Sequence, residues 1–380
     1  MRMKLFAAAA LLAATAIPAS AQQQPWKITA LLPITGPLAG YAIEFKAGID
    51  YAVEDINAAG GIKGRPIQLE TYDTQNNPGQ IATLTRKACD ESLLVVTSLS
   101  AEAQIALPIA NSMKCPAFAG SAAAPGLTSK DRPYNFATMS PTNVSTPLAV
   151  DIAYKALKPK TSISFLERQD PSANAYGTMT SEALVKNGVK DEVVTVNNTD
   201  VDFGPAMSRA MANGAPDMIV ISAMERSVLG LLKEFRKSEA KSRVFLTMSA
   251  YNANIGAQPP EVMEGVYRFA LSDPELSMAT DPRAKRIVER FKAKNNGKPP
   301  TLSATNTYDT ILYIADVIAK SDMTGDPAAR DADRTKLIEG MMKVKDFDGV
   351  TGRLTMTENR YMTATPIVLV YKGGKWEQVK

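Results

Sequence analysis

The sequence predicts an α/β protein built of two doubly wound lobes, each with a mainly parallel sheet. Strand-like apolar segments alternate with helical segments along the chain, and no repeat of 20 to 50 residues interrupts them. This alternation starts a second time after Pro141. With 380 residues, 45% of them hydrophobic, the chain can bury a substantial core and is long enough for two domains.

The first array begins with a strand at Trp26–Leu32, and a helix follows it. Apolar residues recur at helical spacing in that helix, at Phe45, Ile49, Ala52, Val53 and Ile56. Gly60-Gly61 ends it. Further strands are predicted at 66–72, 93–97 and 116–119, with helices at 80–90 and 102–113 between them.

The second array opens with a predicted helix that Thr146 caps, with Pro147 at its first position. Its strands are predicted at 162–166, 192–196, 218–221 and 244–247. Thr280 or Asp281 caps a later helix, which starts at Pro282 and ends before Gly297. In sheets of this kind ligands bind beyond the carboxyl ends of the strands, so two facing lobes would form a cleft there.

The first residues indicate export. Arg2 and Lys4 precede an apolar run at 5–17, and Ala19-Ser20-Ala21 is typical of a cleavage site. The run is too short for a membrane anchor, which needs about 20 apolar residues. We therefore predict a signal peptide at 1–21, cleavage after Ala21 and a mature protein in a periplasm-type compartment.

Composition excludes several chemistries. Histidine is absent, which rules out Ser-His-Asp and Cys-His catalysis and histidine-ligated zinc. Two cysteines cannot form a four-cysteine metal site, and a net charge of +4 is too small to indicate a nucleic-acid surface. We expect no metal, no cofactor and no nucleic-acid partner, so only carboxylate chemistry or no catalysis remains.

The two cysteines have positions that favour a disulfide. Cys89 lies near the end of one predicted helix and Cys115 follows the next. Successive crossover helices of a right-handed sheet can lie side by side, which would bring those ends together. An oxidising compartment favours pairing, while two buried free thiols are the alternative.

Several motifs resemble those of type I periplasmic solute-binding proteins of the branched-chain amino acid transporter family. The chain opens with ITALLPITGPLAG at 28–40, followed by INAAGGIKGR at 56–65. Further matches keep the family order, at 72–73, 175–177, 200–203, 264–267, 297–300, 308–309 and 347–352.

The resemblance implies a two-lobe receptor whose lobes are linked by three chain crossings. One lobe would comprise 26–140 with 272–358, and the other 141–271 with 359–380. Members of this family clamp a small solute and deliver it to a membrane permease and its ATPase subunits. The resemblance therefore implies a monomeric transport receptor with no catalytic residue.

The resemblance also places the ligand carboxylate in the first lobe. In the amino acid binders a serine after the third strand and main-chain N–H groups with a threonine after the fourth strand hold it. Ser100 matches the serine, and Ala122 with Ala123 match the second turn. Ala123 replaces the threonine, so one hydroxyl donor is missing. Capping of the next helix is the alternative role for Ser100.

A second departure concerns the ammonium group of an amino acid. The acidic residue that pairs with it in the family is replaced by Met248-Ser249-Ala250. Because a buried ammonium without a counter-charge is costly, an aromatic acid is the favoured solute and a branched-chain or other amino acid the alternative. Tyr41 and Tyr176 would enclose its body from the two lobes.

Three further residues complete the predicted site. Arg168 offers a second charged contact, with a solvated surface position as its alternative. Met224 lies where the family often has a pocket residue, and Tyr308 matches a family motif; packing in the core is the alternative for both. Two other functions stay open: an exported sensor of the same fold, and a hydrolase that would use Asp73 and Asp309.

Overall fold

The computed structural model describes residues 24–379. The predicted signal peptide at 1–21 and its cleavage site after Ala21 lie outside the described residues. Within 24–379, no helix combines the length and the apolar character that a membrane span needs.

The first third of the chain forms a five-stranded parallel sheet in the order β2-β1-β3-β4-β5. Its elements are β1 (Trp26–Leu32), α1 (Ala39–Ala58), β2 (Ile67–Asp73), α2 (Pro78–Glu91), β3 (Leu94–Thr97), α3 (Ser100–Ser112), β4 (Ala117–Ala119) and β5 (Asn135–Ala137). The strands predicted from the sequence are confirmed to within a residue or two, because β1, β3 and β4 are almost continuously apolar and buried on both faces.

The middle third forms the parallel part of a second sheet. Its elements are α4 (Thr142–Leu157), β6 (Thr161–Glu167), α5 (Pro171–Lys186), β7 (Lys190–Val196), α6 (Gly204–Met211), β8 (Met218–Ser222), α7 (Glu225–Lys237), β9 (Arg243–Leu246), α8 (Ala253–Gly256), α9 (Pro260–Met263) and β10 (Val266–Ala270).

The predicted start of α4 at Thr146 is wrong. The helix begins at Thr142 and contains Pro147 in its interior. Its first N–H, from Thr142, donates to the carbonyl of Ala123 at 2.8 Å. This contact with the loop after β4 anchors the helix one turn earlier than local capping signals indicate.

The last third completes the second sheet and adds a small three-stranded antiparallel sheet to the first part of the fold. Its elements are α10 (Pro274–Ser277), α11 (Pro282–Lys294), α12 (Leu302–Lys320), α13 (Arg330–Lys343), β11 (Phe347–Gly349), β12 (Gly352–Met356), β13 (Met362–Thr363), β14 (Ile367–Lys372) and β15 (Lys375–Gln378). Asp281 caps α11 by accepting from the N–H of Arg283 at 2.7 Å, which confirms one of the two predicted caps. The second sheet has the order β15-β14-β10-β9-β8-β6-β7, with β14 and β15 antiparallel to their neighbours.

Two packed bodies result. We call β1–β5, α1–α3, α10–α13 and β11–β13 the first lobe, and α4–α9, β6–β10, β14 and β15 the second lobe. The chain passes between the two sheets at 138–141, after β10 and after β13. The exact lobe limits at residues 140, 271 and 358 stay a prediction.

Close packing of α12 on α1 builds the core of the first lobe. Gly48 makes this approach possible, since a Cβ there would lie only 2.0 Å from the carbonyl oxygen of Ala304. Phe45, Ile311 and Ile314 fill the space around it and are almost fully buried.

The predicted disulfide between Cys89 and Cys115 is confirmed. The two Cα atoms lie 5.7 Å apart, and both side chains are buried. Because α2 and α3 pack side by side, the bridge joins the last turn of α2 to the segment that follows α3.

Candidate functional site

The candidate site is a cavity between the two lobes, at the carboxyl ends of both sets of parallel strands. About 70 Å³ of it is open to the centres of water molecules. Because one water needs roughly 10–15 Å³ of such space, the cavity has room for several waters or one small solute. The first lobe contributes Tyr41, Phe45, Leu99, Ser100, Ser121, Ala123, Met139, Thr301, Leu302 and Ser303. The second lobe contributes Asp170, Ser172, Tyr176, Met224, Met248, Ser249, Tyr251, Arg268, Phe269 and Ala270.

Ser100 lies at the start of α3, directly after the end of β3. Its Oγ accepts from the N–H of Ala123 at 3.3 Å and from that of Ala124 at 3.2 Å. Capping of α3 is therefore not its role, and Leu99 occupies the N-cap position without a side-chain hydrogen bond. Because its oxygen accepts both contacts, the Ser100 hydroxyl hydrogen is free to donate to an oxygen in the cavity.

A buried carboxyl group supports this end of α3. Glu102 accepts hydrogen bonds from Thr74, Thr97 and Ser98. Burial raises the pKa of the Glu102 carboxyl to about 7, against the lowering effect of these bonds. The protonated form of Glu102 is therefore favoured more than that of an ordinary glutamate, in the same first turn of α3 as Ser100.

Tyr41, near the start of α1, joins the lobes. Its Oη accepts from the N–H of Glu225 at 3.1 Å and donates to the carbonyl of Ser249 at 3.5 Å. Burial, together with the nearby carboxylates of Glu225 and Asp170, raises the pKa of the Tyr41 phenol, so it stays protonated.

Glu44, one turn further along α1, makes a second contact between the lobes. Its Oε1 accepts from the N–H of Ala253 in the second lobe at 2.7 Å, and its Oε2 from the N–H of Thr301 in the first lobe at 2.8 Å. At Gly40, one residue before Tyr41, an added Cβ would lie 3.1 Å from Glu225 Oε2. Glycine at this position therefore permits the start of α1 to approach Glu225 of the second lobe closely. The lobes are closed on one another in this structure.

The second lobe supplies Tyr176, Met224 and Ser249 from three different loops or helices. The ring of Tyr176 packs edge-on against Phe269, with ring centroids 5.6 Å apart. Met224 precedes α7, and its N–H donates to Glu167 Oε2 at 3.3 Å. Ser249 lies in the turn after β9, and its Oγ is 3.2 Å from Thr247 Oγ1.

Three predicted site residues are not brought into the cavity. Ala122 faces a separate groove beside Leu127, because only its neighbour Ala123 turns towards the cleft. Tyr308 lies in the core between α12 and α1 and donates to Asp55 Oδ2 at 2.9 Å. Arg168 is exposed, with Nε 3.4 Å from Thr195 Oγ1.

The paired carboxylates of the hydrolase alternative do not line the cavity either. Asp73, the last residue of β2, accepts from the hydroxyl of Thr35 in an exposed loop at 2.6 Å. Asp309 is buried and accepts from the N–H groups of Val350 and Thr351 at 2.7 and 2.8 Å. Hydrogen bonds within the fold thus account for the presence of both carboxyl groups, without a catalytic role.

Sequence reasoning missed two charged residues of the cavity wall. Asp170 caps α5 by accepting from the N–H groups of Ser172 and Ala173, each at 2.8 Å. Arg268 interrupts the apolar strand β10 and is almost fully buried. Two features of the sequence could have indicated them: an Asp-Pro pair shortly after a predicted strand, and a lone cation inside an apolar run.

The chain is similar to known binding proteins over most of its length. The family model of the periplasmic binding proteins matches residues 25–374. A leucine-, isoleucine-, valine-, threonine- and alanine-binding protein of Pseudomonas aeruginosa is 26% identical over 335 residues, which are 87% of this chain and 86% of that protein.

Solved structures resemble the fold closely. A leucine-binding protein from Thermotoga maritima superposes with a TM-score of 0.80 at 23% identity, covering 93% of this chain and 97% of that one. A solute-binding protein of an ABC transporter from Rhodopseudomonas palustris, in complex with benzoate, also has a TM-score of 0.80, at 18% identity and with 93% and 95% covered.

Proposed function

Because the chain belongs to the periplasmic binding protein family, we propose that it is the solute receptor of an ABC importer. It clamps a small carboxylate-bearing solute between its lobes and delivers it to the membrane permease and its ATPase subunits. The observation that carries this proposal is the cavity that both lobes line. A solute that contacts both lobes stabilises the closed form over the open one. The mature chain then starts after Ala21 and acts as a periplasmic monomer.

The first lobe binds the carboxylate. The Ser100 hydroxyl can donate to one oxygen, and the N-terminal end of α3 offers a positive dipole end beside it. Burial raises the pKa of the nearby Glu102 carboxyl to about 7, so part of its negative charge is removed at neutral pH and its repulsion of an anion is reduced. A carboxylate therefore finds donors and a favourable local potential here.

An aromatic body is the favoured remainder of the solute. Tyr41 and Phe45 line the cavity from the first lobe, and Tyr176 and Phe269 line it from the second. Rings of this kind pack against an aromatic ligand in offset or edge-on arrangements. The benzoate held by the Rhodopseudomonas palustris neighbour supports the same class, as a property of that protein.

An amino acid is the second candidate, and Asp170 favours it. This partly buried carboxyl lines the cavity, and only its Oδ1 is engaged as the helix cap. Its Oδ2 could accept from an α-ammonium group. Several relatives carry names of leucine, isoleucine and valine binders.

Calorimetric titration with benzoate and with leucine separates the two candidates. Asp170→Asn is the diagnostic variant, because asparagine caps helices as well as aspartate does but carries no charge. If the solute is an aromatic acid, benzoate binds one-to-one and the variant binds it equally or more tightly. Leucine binding that weakens at least tenfold in Asp170→Asn would establish the amino acid candidate instead.

A further inference from the structure

A short segment of the second lobe, residues 252–254, packs against the first lobe outside the solute cavity. We call it the docking segment. Its central residue, Ala253, is 7% exposed and is buried within the apolar core of the first lobe, together with Tyr41 and Phe45. Within 24–379, none of the three residues of the docking segment lines the cavity. The segment therefore joins the lobes through protein contacts alone, and this packing requires the closed form.

Glu44, on α1, receives the docking segment. Its side chain is 1% exposed and does not line the cavity. Its Oε2 accepts from the N–H of Thr301 at 2.8 Å and from the Thr301 hydroxyl, and both residues belong to the first lobe. Its Oε1 accepts from the N–H of Ala253 in the second lobe at 2.7 Å. Because the contacts of Oε2 do not depend on closure, Thr301 orients the carboxyl group beforehand, and Oε1 meets Ala253 only when the lobes close.

The arrangement around Glu44 requires a carboxyl group. A carboxylate has two acceptor oxygens, whereas an amide has one acceptor and one donor group. The protein groups that face Oε1 and Oε2 are all donors. In Glu44→Gln the amide oxygen would remain with Thr301, which offers two donors, and the amide NH2 would then face the N–H of Ala253. The substitution therefore removes the contact between the lobes and keeps the contact within the first lobe.

Contacts within the second lobe hold the docking segment in shape. Asn252 accepts from the N–H of Ile255 at 3.0 Å and donates through Nδ2 to Glu225 Oε2 at 2.6 Å. Asn254 Nδ2 donates to both carboxyl oxygens of Glu225, each at 3.1 Å. The Oδ1 of Asn254 is thereby directed to the first lobe, where Lys298 Nζ donates to it at 2.7 Å. Each lobe thus orients its own side of the contact.

We propose that Glu44, Lys298 and the docking segment form a latch that stabilises the closed form whether or not a solute is bound. The unliganded protein therefore populates the closed form substantially. Because the apparent affinity is proportional to the fraction of protein in the binding-competent form, the latch strengthens the binding of every solute by one common factor. Glu44 is a positioning residue that touches no solute. This inference rests on the proposed function, since it concerns closure around the same cavity.

Small-angle scattering of the unliganded protein tests the latch without any assumption about the solute. We expect Glu44→Gln to have a larger radius of gyration than the wild type, because a buried N–H that loses its acceptor lowers the closing equilibrium about tenfold. Starting from equal populations of the two forms, this loss reduces the closed fraction about fivefold. In calorimetric titrations with benzoate and with leucine, the Kd of each probe that binds should rise by that factor, and saturating probe should restore the closed scattering profile.

Asp333→Asn is the matched control. Asp333 is also 1% exposed, and its two carboxyl oxygens also accept from different main-chain N–H groups, those of Thr324 at 3.0 Å and Gly325 at 2.7 Å. All three residues lie in the first lobe and away from the cavity. This variant should lower the free energy of unfolding without changing the scattering profile or the Kd.

A second variant keeps Glu44 and tests the other half of the latch. Lys298→Met retains an unbranched apolar side chain and removes the ammonium group that donates to Asn254. It should expand the unliganded protein in the same direction as Glu44→Gln. Because Lys298 is only partly buried, this variant also provides the test if Glu44→Gln does not fold.

The outcomes separate the latch from the proposed function. Unliganded scattering profiles that coincide for the wild type and both latch variants overturn the latch, and one-to-one binding of a probe leaves the proposed function standing. An equal expansion in Asp333→Asn also overturns it, since the effect would then be a general loss of stability. If neither probe binds the wild type, both proposed solute classes fail, whereas expansion confined to the latch variants still supports the latch.

Discussion

Removing the Tyr41 hydroxyl should weaken solute binding by shifting the lobes towards the open form. In the closed structure Tyr41 Oη accepts from the N–H of Glu225 at 3.1 Å and donates to the carbonyl of Ser249 at 3.5 Å. Both partners belong to the second lobe, whereas Tyr41 belongs to the first. Tyr41→Phe keeps the ring that faces the cavity and deletes only these contacts between the lobes.

The expected size follows from the two distances. The contact at 3.1 Å is an ordinary hydrogen bond, while the one at 3.5 Å is at the limit and contributes little. One net hydrogen bond is worth about 1 kcal/mol. Because binding requires the closed form, this loss should raise the Kd about fivefold, given tenfold for each 1.4 kcal/mol.

Calorimetry measures the affinity, and small-angle scattering of the unliganded protein measures closure. Tyr308→Phe is the control: it deletes a hydrogen bond to Asp55 within the first lobe, so it should lower the free energy of unfolding without changing the Kd. An unchanged Kd and an unchanged scattering profile in Tyr41→Phe would refute the role of this hydroxyl in closure. So would an equal loss of affinity in both variants.

Three other predictions concern the first lobe. Ser100→Ala should weaken carboxylate binding by about 1–3 kcal/mol, and equal affinities by calorimetry would contradict its role as a donor. Reducing Cys89–Cys115, which spans 26 residues, should lower the free energy of unfolding by about 3–4 kcal/mol in the chain-entropy model; denaturant titration with and without reductant measures this, and coincident curves would count against it. Because the pKa of Glu102 is raised from 4.5 to about 7, the folded state retains its proton longer than the unfolded state does, so this group's stabilising contribution falls as pH rises across that range. Glu102→Gln should flatten the pH dependence of unfolding there, and parallel profiles for the two proteins would exclude the effect.

The site could be predicted from the sequence in part. Ser100, Tyr41, Met224 and Ser249 all line the cavity, and each lies shortly after a strand or in the first turn of a helix, where ligands of parallel sheets are expected; Tyr176 lines it from the second turn of α5. These positions are recognisable because strand ends and helix starts are local features of the chain.

Other residues could not be placed in this way. Tyr308 resembles a site residue in its motif but faces α1, because close packing at Gly48 sets the rotation of α12. Arg268 is a lone cation in an apolar strand, and its charge is accommodated by an ion pair with Asp273 and by stacking against Tyr251 and Trp376. The contacts that decide both cases join segments far apart in the chain.

The sequence by itself determined the class of the molecule, through its two α/β arrays and the exclusion of histidine chemistry, and it predicts an export signal. These follow from composition and from periodicities of two to four residues, which local physical chemistry imposes. Only the tertiary structure decided which side chains face the cavity, whether the two cysteines pair and which buried donors stay unpaired. Side-chain direction at a strand end, and the partner that a buried group finds, depend on the packing of one lobe's helices and sheets against the other's.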